Sequence, residues 1–181
     1  MAVIPAVAWF VSGVLVVAAI IDGRQLRVPN WLTFPFFATG LVFALTTGGP
    51  WGLAWSLAGA GVGLLSLLPL YAIGGMGAGD VKLMAGMGAW IGAHHMLWAF
   101  VGTALAGGVI GAAMIAISGN WIQHLVTAQI IGHEILTVRN PVELSERAAR
   151  RKPSMRLLPY GIPIAIGSVA YFAGAGLLWA R

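Results

Sequence analysis

Long apolar runs alternate with short polar interruptions along the whole chain, and their lengths suit membrane-crossing helices better than the one-sided stripes of a soluble fold. A helix needs about 20 apolar residues to cross a hydrocarbon core ~30 Å thick. The first run, from about Val3 to Ile21, meets that length. It ends in the polar turn Asp22-Gly23-Arg24-Gln25-Leu26-Arg27-Val28-Pro29-Asn30, where Pro29 has no amide with which to continue a helix. The second and third runs, about Trp31 to Leu45 and Trp51 to Ile73, are parted by Thr46-Thr47-Gly48-Gly49-Pro50. The fourth, Asp80 to about Ala93, rises only ~21 Å as a helix, short of a full crossing. We read this as a dip of the preceding glycine stretch into the membrane, which carries Asp80 below the surface. The fifth run spans about Met96 to Ile117 and the sixth about Tyr160 to Ala180, with a polar stretch from Asn120 to Leu158 between them. Trp121 to Val138 in that stretch is mildly amphipathic. The expectation is an all-α polytopic membrane protein of six transmembrane helices. Residues 1–181 form one integral-membrane domain with a loop at 119–158. Gly59-xxx-Gly63 is a candidate packing face, and Gly107-xxx-Gly111 has the same spacing.

Composition removes the soluble alternative. The chain is 59% hydrophobic and 8% charged, with a mean hydropathy of +0.89, whereas soluble domains carry about 25% charged residues. It has 26 glycines, which suit close packing of membrane helices. It has no cysteine, which leaves no disulfide, thiol nucleophile or thiolate zinc site. No Lys or Arg precedes the first run, so it lacks the basic start of a cleavable signal peptide.

The net charge of +5 changes the picture through its distribution. Arg24, Arg27, Lys82, Arg139, Arg147, Arg150, Arg151, Lys152 and Arg156 lie in or beside the connections after spans 1, 3 and 5; Arg181 alone lies on the other side. By the positive-inside rule those connections are cytoplasmic and both termini are outside. The basic stretch Arg139 to Arg156 then reads as an orientation signal beside anionic lipid, and nucleic acid is not expected as a partner. The same count of spans places Asp22 and Asp80, the two aspartates of the chain, at one cytoplasmic membrane face.

Ionisable groups at membrane depth cost several kcal/mol unless paired or hydrated. Asp80 has a structural explanation as a helix N-cap after glycines. For Asp22 the structural alternative is a salt bridge to Arg24 or Arg27, since a carboxylate at a helix C-terminus meets the negative end of the dipole. Two facing carboxylates in a dry site share a proton. One deprotonates a water while the other polarises a peptide carbonyl, and both then assist departure of the amine. That is aspartic protease chemistry, with no metal or other cofactor. Gly75, Gly77 and Gly79 leave space for a substrate backbone beside Asp80. Lys82 sits two residues on, nearly opposite Asp80 on an ideal helix, where it snorkels to the interface or tunes the pair. Other patterns fall short. His133-Glu134-Ile135-Leu136-Thr137 lacks the second histidine of a zinc-protease helix, and no GxSxG occurs. Gly75-x-Gly77-x-Gly79 lacks the lysine-serine pair of a phosphate loop. His94-His95 reads as a polar loop pair on the far side.

Three segments carry a resemblance. Gly77-Ala78-Gly79-Asp80 is similar to the GxGD signature of intramembrane aspartic proteases, and Asp80-Val81-Lys82-Leu83-Met84 extends the likeness. Asp22-Gly23-Arg24 followed by Val28-Pro29-Asn30 resembles the D-x-R…(I/V)-P-N segment of the type IV prepilin peptidases. Pro159-Tyr160-Gly161-Ile162-Pro163 looks like the Pro-(Tyr/Phe)-Gly opening of their last span. The resemblance covers essentially the whole chain, in order. It implies a leader peptidase with Asp22 and Asp80 as catalytic pair and Pro29, Asn30, Pro159, Tyr160 and Gly161 beside the site. The implied substrates are prepilin-like proteins with a hydrophobic segment, cleaved after a glycine at the cytoplasmic face of a bacterial inner membrane, with pilus or secretion machinery as further partners. The cysteine-bearing domain of the longer members is missing. The chain therefore resembles the short type of tight-adherence (Flp) pilus systems, for which methyl transfer is not expected; the archaeal preflagellin peptidases share the same motifs. A proton- or ion-coupled transporter using Asp22 and Asp80 as a relay is the competing class, and a non-catalytic assembly scaffold a third.

Overall fold

The structure, a computed structural model, describes residues 4–72, 75–118, 129 and 159–179. All regular structure among them is helical: α1 (Pro5–Gln25), α2 (Asn30–Ala72), α3 (Ala78–Ser118) and α4 (Gly161–Gly174). α1, α2 and α3 are long and apolar enough to cross a membrane; α4 is a shorter apolar helix.

α2 and α3 are each two helices joined at one glycine. Gly49 (φ 59°, ψ −152°) and Gly92 (φ 73°, ψ 170°) take backbone angles that are costly for any residue with a Cβ. A Cβ on Gly52 would strike the Ala44 carbonyl, so α2 doubles back at Gly49. In α3, Met84 and Gly88 lie against the second limb of α2, whereas Gly102 and Gly107 lie against α4. Each of these helices therefore consists of two limbs parted at its glycine, with sharper turns than the polar residues imply. Thr46 and Thr47 stay helical, each hydroxyl donating to the Phe43 carbonyl. His94 and His95 are likewise helical rather than a loop, because Gly92 alone makes the turn; His95 Nδ1 lies 2.8 Å from the Tyr171 hydroxyl of α4. The break also takes carbonyls out of the helical ladder, and Ser56 Oγ of α2 donates to that of Ala89 at 2.6 Å.

Backbone-to-backbone crossings lock three helices. Gly59 and Gly88 face each other so closely that a Cβ on either would strike the other's carbonyl, and Gly63 lies on the Met84 carbonyl. Gly59-xxx-Gly63 is thus a true packing face between α2 and α3. The second such pattern is displaced: the α3/α4 crossing uses Gly102 against Gly167, while Gly107 makes ordinary contact with Pro163 and a Cβ on Gly111 would meet nothing within 4 Å.

α1 is different. Its buried stripe, Val7, Ala8, Val11, Ser12, Leu15, Ala18 and Asp22, rests chiefly on α4, with a narrower contact on α3. α1 also runs four residues beyond the expected end at Ile21, to Gln25, and stops at Leu26 in the left-handed region, whose N–H bonds the Asp22 carbonyl. Pro29 restricts only its immediate neighbour, so the polar Asp22–Gln25 turn stays helical. α4 stops at Gly174, short of the expected Ala180, and Gly176 (φ 71°) turns the following segment so that Trp9 Nε1 donates to the Leu178 carbonyl. The connection 119–158, its basic residues and His133-Glu134 lie outside the described residues, Gln129 excepted.

Candidate active site

The folding-back at Gly49 and Gly92 brings the three polar segments of the described residues, 22–30, 75–82 and 159–161, to one end of the bundle. Asp22 lies in the last turn of α1 and is 2% exposed; Asp80 lies in the first turn of α3 and is 4% exposed. Each carboxylate is oriented by a backbone amide. Gly161 N–H, at the start of α4, donates to Asp22 Oδ2 at 2.8 Å. Gly77 N–H donates to Asp80 Oδ2 at 3.2 Å, the reach-back of a capping box, so Asp80 does serve its own helix. α4 opens without a side-chain cap of its own, and the Asp22 carboxylate accepts from an amide of its first turn. That contact offsets the unfavourable position of a carboxylate at the α1 C-terminus.

The residue before Gly161, Tyr160, is half-buried and packs against the core. Pro159 accepts the amide of Ile162 and Tyr160 that of Ile164, which starts α4 in this register.

The segment 26–30 closes the end. Pro29 accepts the amides of Leu32 and Thr33 and so starts α2. Val28, buried, lies against Gly79 so tightly that a Cβ there would strike its carbonyl. The space beside Gly79 is therefore filled by the chain itself. A Cβ on Gly77 would sit 3.2 Å from Asp80 Oδ2, and neither glycine has a positive φ. Gly75 turns the chain back by donating to the Leu70 carbonyl at 2.9 Å. Lys82 Nζ donates to Asn30 Oδ1 at 2.9 Å and lies 4.9 Å from the centre of the Phe34 ring. It ties the start of α3 to the start of α2.

Among the described residues no cluster of three or more His, Asp or Glu is placed to hold a metal ion. The sequence motifs include two further contributors without giving their roles. Val28 acts by shape against Gly79, which carries no chemical signal, and Gly161 acts through its backbone amide, which no side chain announces.

Residues 9–112, which hold both aspartates and more than half of the chain, match the type IV leader peptidase family. A protein named prepilin leader peptidase/N-methyltransferase from Aeromonas salmonicida is 35% identical over 115 residues, covering 60% of this chain and 39% of its own length. One of the same name from Bacillus subtilis is 29% identical over 177 residues, 93% of this chain and 56% of its own; one from Klebsiella pneumoniae is 38% identical over 86 residues, 43% and 37%. The chain thus spans between about a third and somewhat over half the length of these relatives. No solved structure matches it. With three helices long enough to cross a bilayer and a match that encloses Asp22, Asp80 and the glycines between them, this membrane protein belongs to the type IV leader peptidase family.

Proposed function

We propose that this chain is an aspartic endopeptidase that removes the leader of prepilin-like proteins, with Asp22 and Asp80 as its catalytic pair. The observation that carries the reading is that two buried carboxylates from different helices lie at one end of the bundle: Asp22 accepts from Gly161 of the last helix, and Asp80 follows Gly79, on which Val28 of the segment after α1 packs. In the mechanism one carboxylate takes a proton from water as the water attacks the scissile carbonyl carbon. The other, protonated, gives its proton to the carbonyl oxygen. Collapse of the tetrahedral intermediate breaks the C–N bond, and the first residue returns the proton to the departing amine. The Gly161 amide keeps Asp22 in one orientation through the cycle, as Gly77 does for Asp80. The scissile bond lies after a glycine that precedes the substrate's hydrophobic segment.

The topology belongs to the same reading. The rods on either side of Gly49 and Gly92, with α1 and α4, make six crossings, with the aspartate end cytoplasmic, both termini outside, and the bacterial inner membrane as location. The relatives' name includes N-methyltransferase; this chain by itself, without cysteine, is proposed to cleave without methylating. It takes no metal or other cofactor, and its product feeds a pilus or secretion apparatus of the Flp type.

Purified protein in proteoliposomes, incubated with candidate prepilins and S-adenosylmethionine, tests the proposal by mass spectrometry. The expected product is mature pilin with an unmodified amino terminus. Intact prepilin throughout would remove the peptidase reading, and a methylated product would remove the restriction to cleavage.

A further inference from the structure

Two pieces of chain meet at Gly79, and they are held differently. The start of α3 is anchored at three points. Gly77 N–H bonds the Asp80 carboxylate, Gly75 N–H bonds the Leu70 carbonyl, and Met76, 1% exposed, is packed into the core. The segment 26–28 opposite is fastened only at its ends. Leu26 N–H bonds the Asp22 carbonyl, and just beyond the segment the Pro29 carbonyl accepts the Leu32 and Thr33 amides. Between those bonds, neither Arg27 nor Val28 makes a hydrogen bond to any described residue. What keeps Val28 in place is packing: its side chain is buried in the core, and its N, Cβ and O lie where a Cβ on Gly79 would point. A contact of that kind is released without breaking a hydrogen bond.

The upstream end of the segment is strained. Among the described residues Leu26 is the one non-glycine with a positive φ (52°), a region that crowds Cβ and that helix ends commonly give to glycine or asparagine. The Leu26 side chain is 55% exposed, so little burial of its own offsets that cost. Return of Leu26 to a negative φ relieves the strain and moves Arg27 and Val28 off Gly79. The bond from Lys82 to Asn30 lies outside the segment and keeps the starts of α2 and α3 together meanwhile.

We infer that residues 26–28 form a strap across the aspartate end, closed in this structure, which swings out about Leu26 and Pro29 to admit the substrate's extended backbone beside Gly79. The inference rests on the peptidase reading. The strap joins the helix end that carries Asp22 to the residue before Asp80, so whatever takes its place adjoins both carboxylate-bearing helix ends. Once Val28 has left, Gly79 presents bare backbone to the incoming chain, which no other residue type does. Closed, the strap keeps a peptide from that position. Only the open fraction binds, so apparent affinity is lowered by that fraction.

The test alters the strap and leaves Gly79, which adjoins Asp80, as it is. Val28→Ala and the near-isosteric Val28→Thr both weaken the closed packing. With a leader-bearing reporter in proteoliposomes, Val28→Ala should raise kcat/KM about tenfold through a lower KM, and Val28→Thr should raise it by less. The chain has no cysteine of its own, so a pair of spin labels can be placed at Arg27→Cys and Leu105→Cys, the latter position 68% exposed on the second limb of α3. In an Asp80→Asn background, which holds the reporter uncleaved, a reporter concentration that saturates wild-type cleavage should shift the distance between the labels by ~3 Å or more, the reach of one residue. Folded Val28 variants with an unchanged or lower kcat/KM, or a label distance that the reporter does not move, would overturn the strap. Where Val28→Ala fails to fold, Val28→Thr and the label distance decide. If the wild-type protein removes no leader, the peptidase reading itself falls, and this inference with it.

Discussion

Asp22 and Asp80 are both buried and both held by a backbone amide, yet they are held in different ways. Asp80 accepts from Gly77, three residues away in its own helix start, so that hydrogen bond is made within one short stretch. Asp22 is oriented by Gly161, from the opposite end of the chain, and exists in that geometry only when α1 and α4 are packed together. The first hydrogen bond needs only local folding, the second the packing of α1 on α4. A site built from one of each assembles only in the finished fold.

The comparison predicts where small changes act. Gly161→Ala should have the largest effect short of changing an aspartate. Alanine favours the helix more than glycine does, so α4 keeps its conformation. Its Cβ, however, would lie 2.9 Å from Asp22 Cβ and 3.1 Å from Oδ2. Displacing a catalytic group by about 1 Å costs on the order of 100-fold. The expected outcome is a kcat lowered by that order with KM nearly unchanged, measured on protein of wild-type thermal stability. An unchanged kcat would mean that Asp22 does not depend on Gly161.

Gly79→Ala comes next, and its loss has a different origin. A Cβ there strikes the Val28 carbonyl, so either the 26–29 segment or the start of α3 must move. Overpacking of this kind costs about 1–3 kcal/mol, so stability in detergent and cleavage should fall together. Cleavage lost with stability intact would instead favour a substrate contact at Gly79.

Lys82→Met should have the smallest effect. It removes the bond to Asn30 and the contact with Phe34, and two positions along a helix put Lys82 nearly opposite Asp80. A double-mutant cycle with Asn30→Leu should give a stability coupling of about 1 kcal/mol, with leader removal close to wild type. A large fall in kcat at unchanged stability would place Lys82 in the chemistry.

How much of this could be read beforehand follows the same division. The rods, the glycine breaks and the capping role of Asp80 arise from short stretches, and length, composition and Gly-Pro signals announce them. Asp22 was legible as an anomaly, a carboxylate at a helix end with no local reason to be there. Gly161 was legible only through the motif resemblance, and its bond to Asp22 was not, because an amide 139 residues away leaves no local pattern. His94-His95 misled for the converse reason: polarity suggested a loop, whereas one glycine two positions earlier makes the turn and leaves both histidines helical. The displaced α3/α4 crossing shows the same limit, since the spacing of Gly107 and Gly111 matches a packing motif but α4 meets Gly102.

The most direct test of the central claim is leader removal by purified wild-type protein beside Asp22→Asn and Asp80→Asn, each reconstituted at matched amount and with matched thermal stability. Asparagine keeps the shape and can still accept the Gly161 or Gly77 amide, but it cannot exchange a proton. The account predicts that each variant alone loses roughly 100- to 10,000-fold in kcat, the scale of a positioned acid or base, and that the double variant loses little more than either. A folded Asp22→Asn or Asp80→Asn protein that removes the leader at the wild-type rate would contradict it.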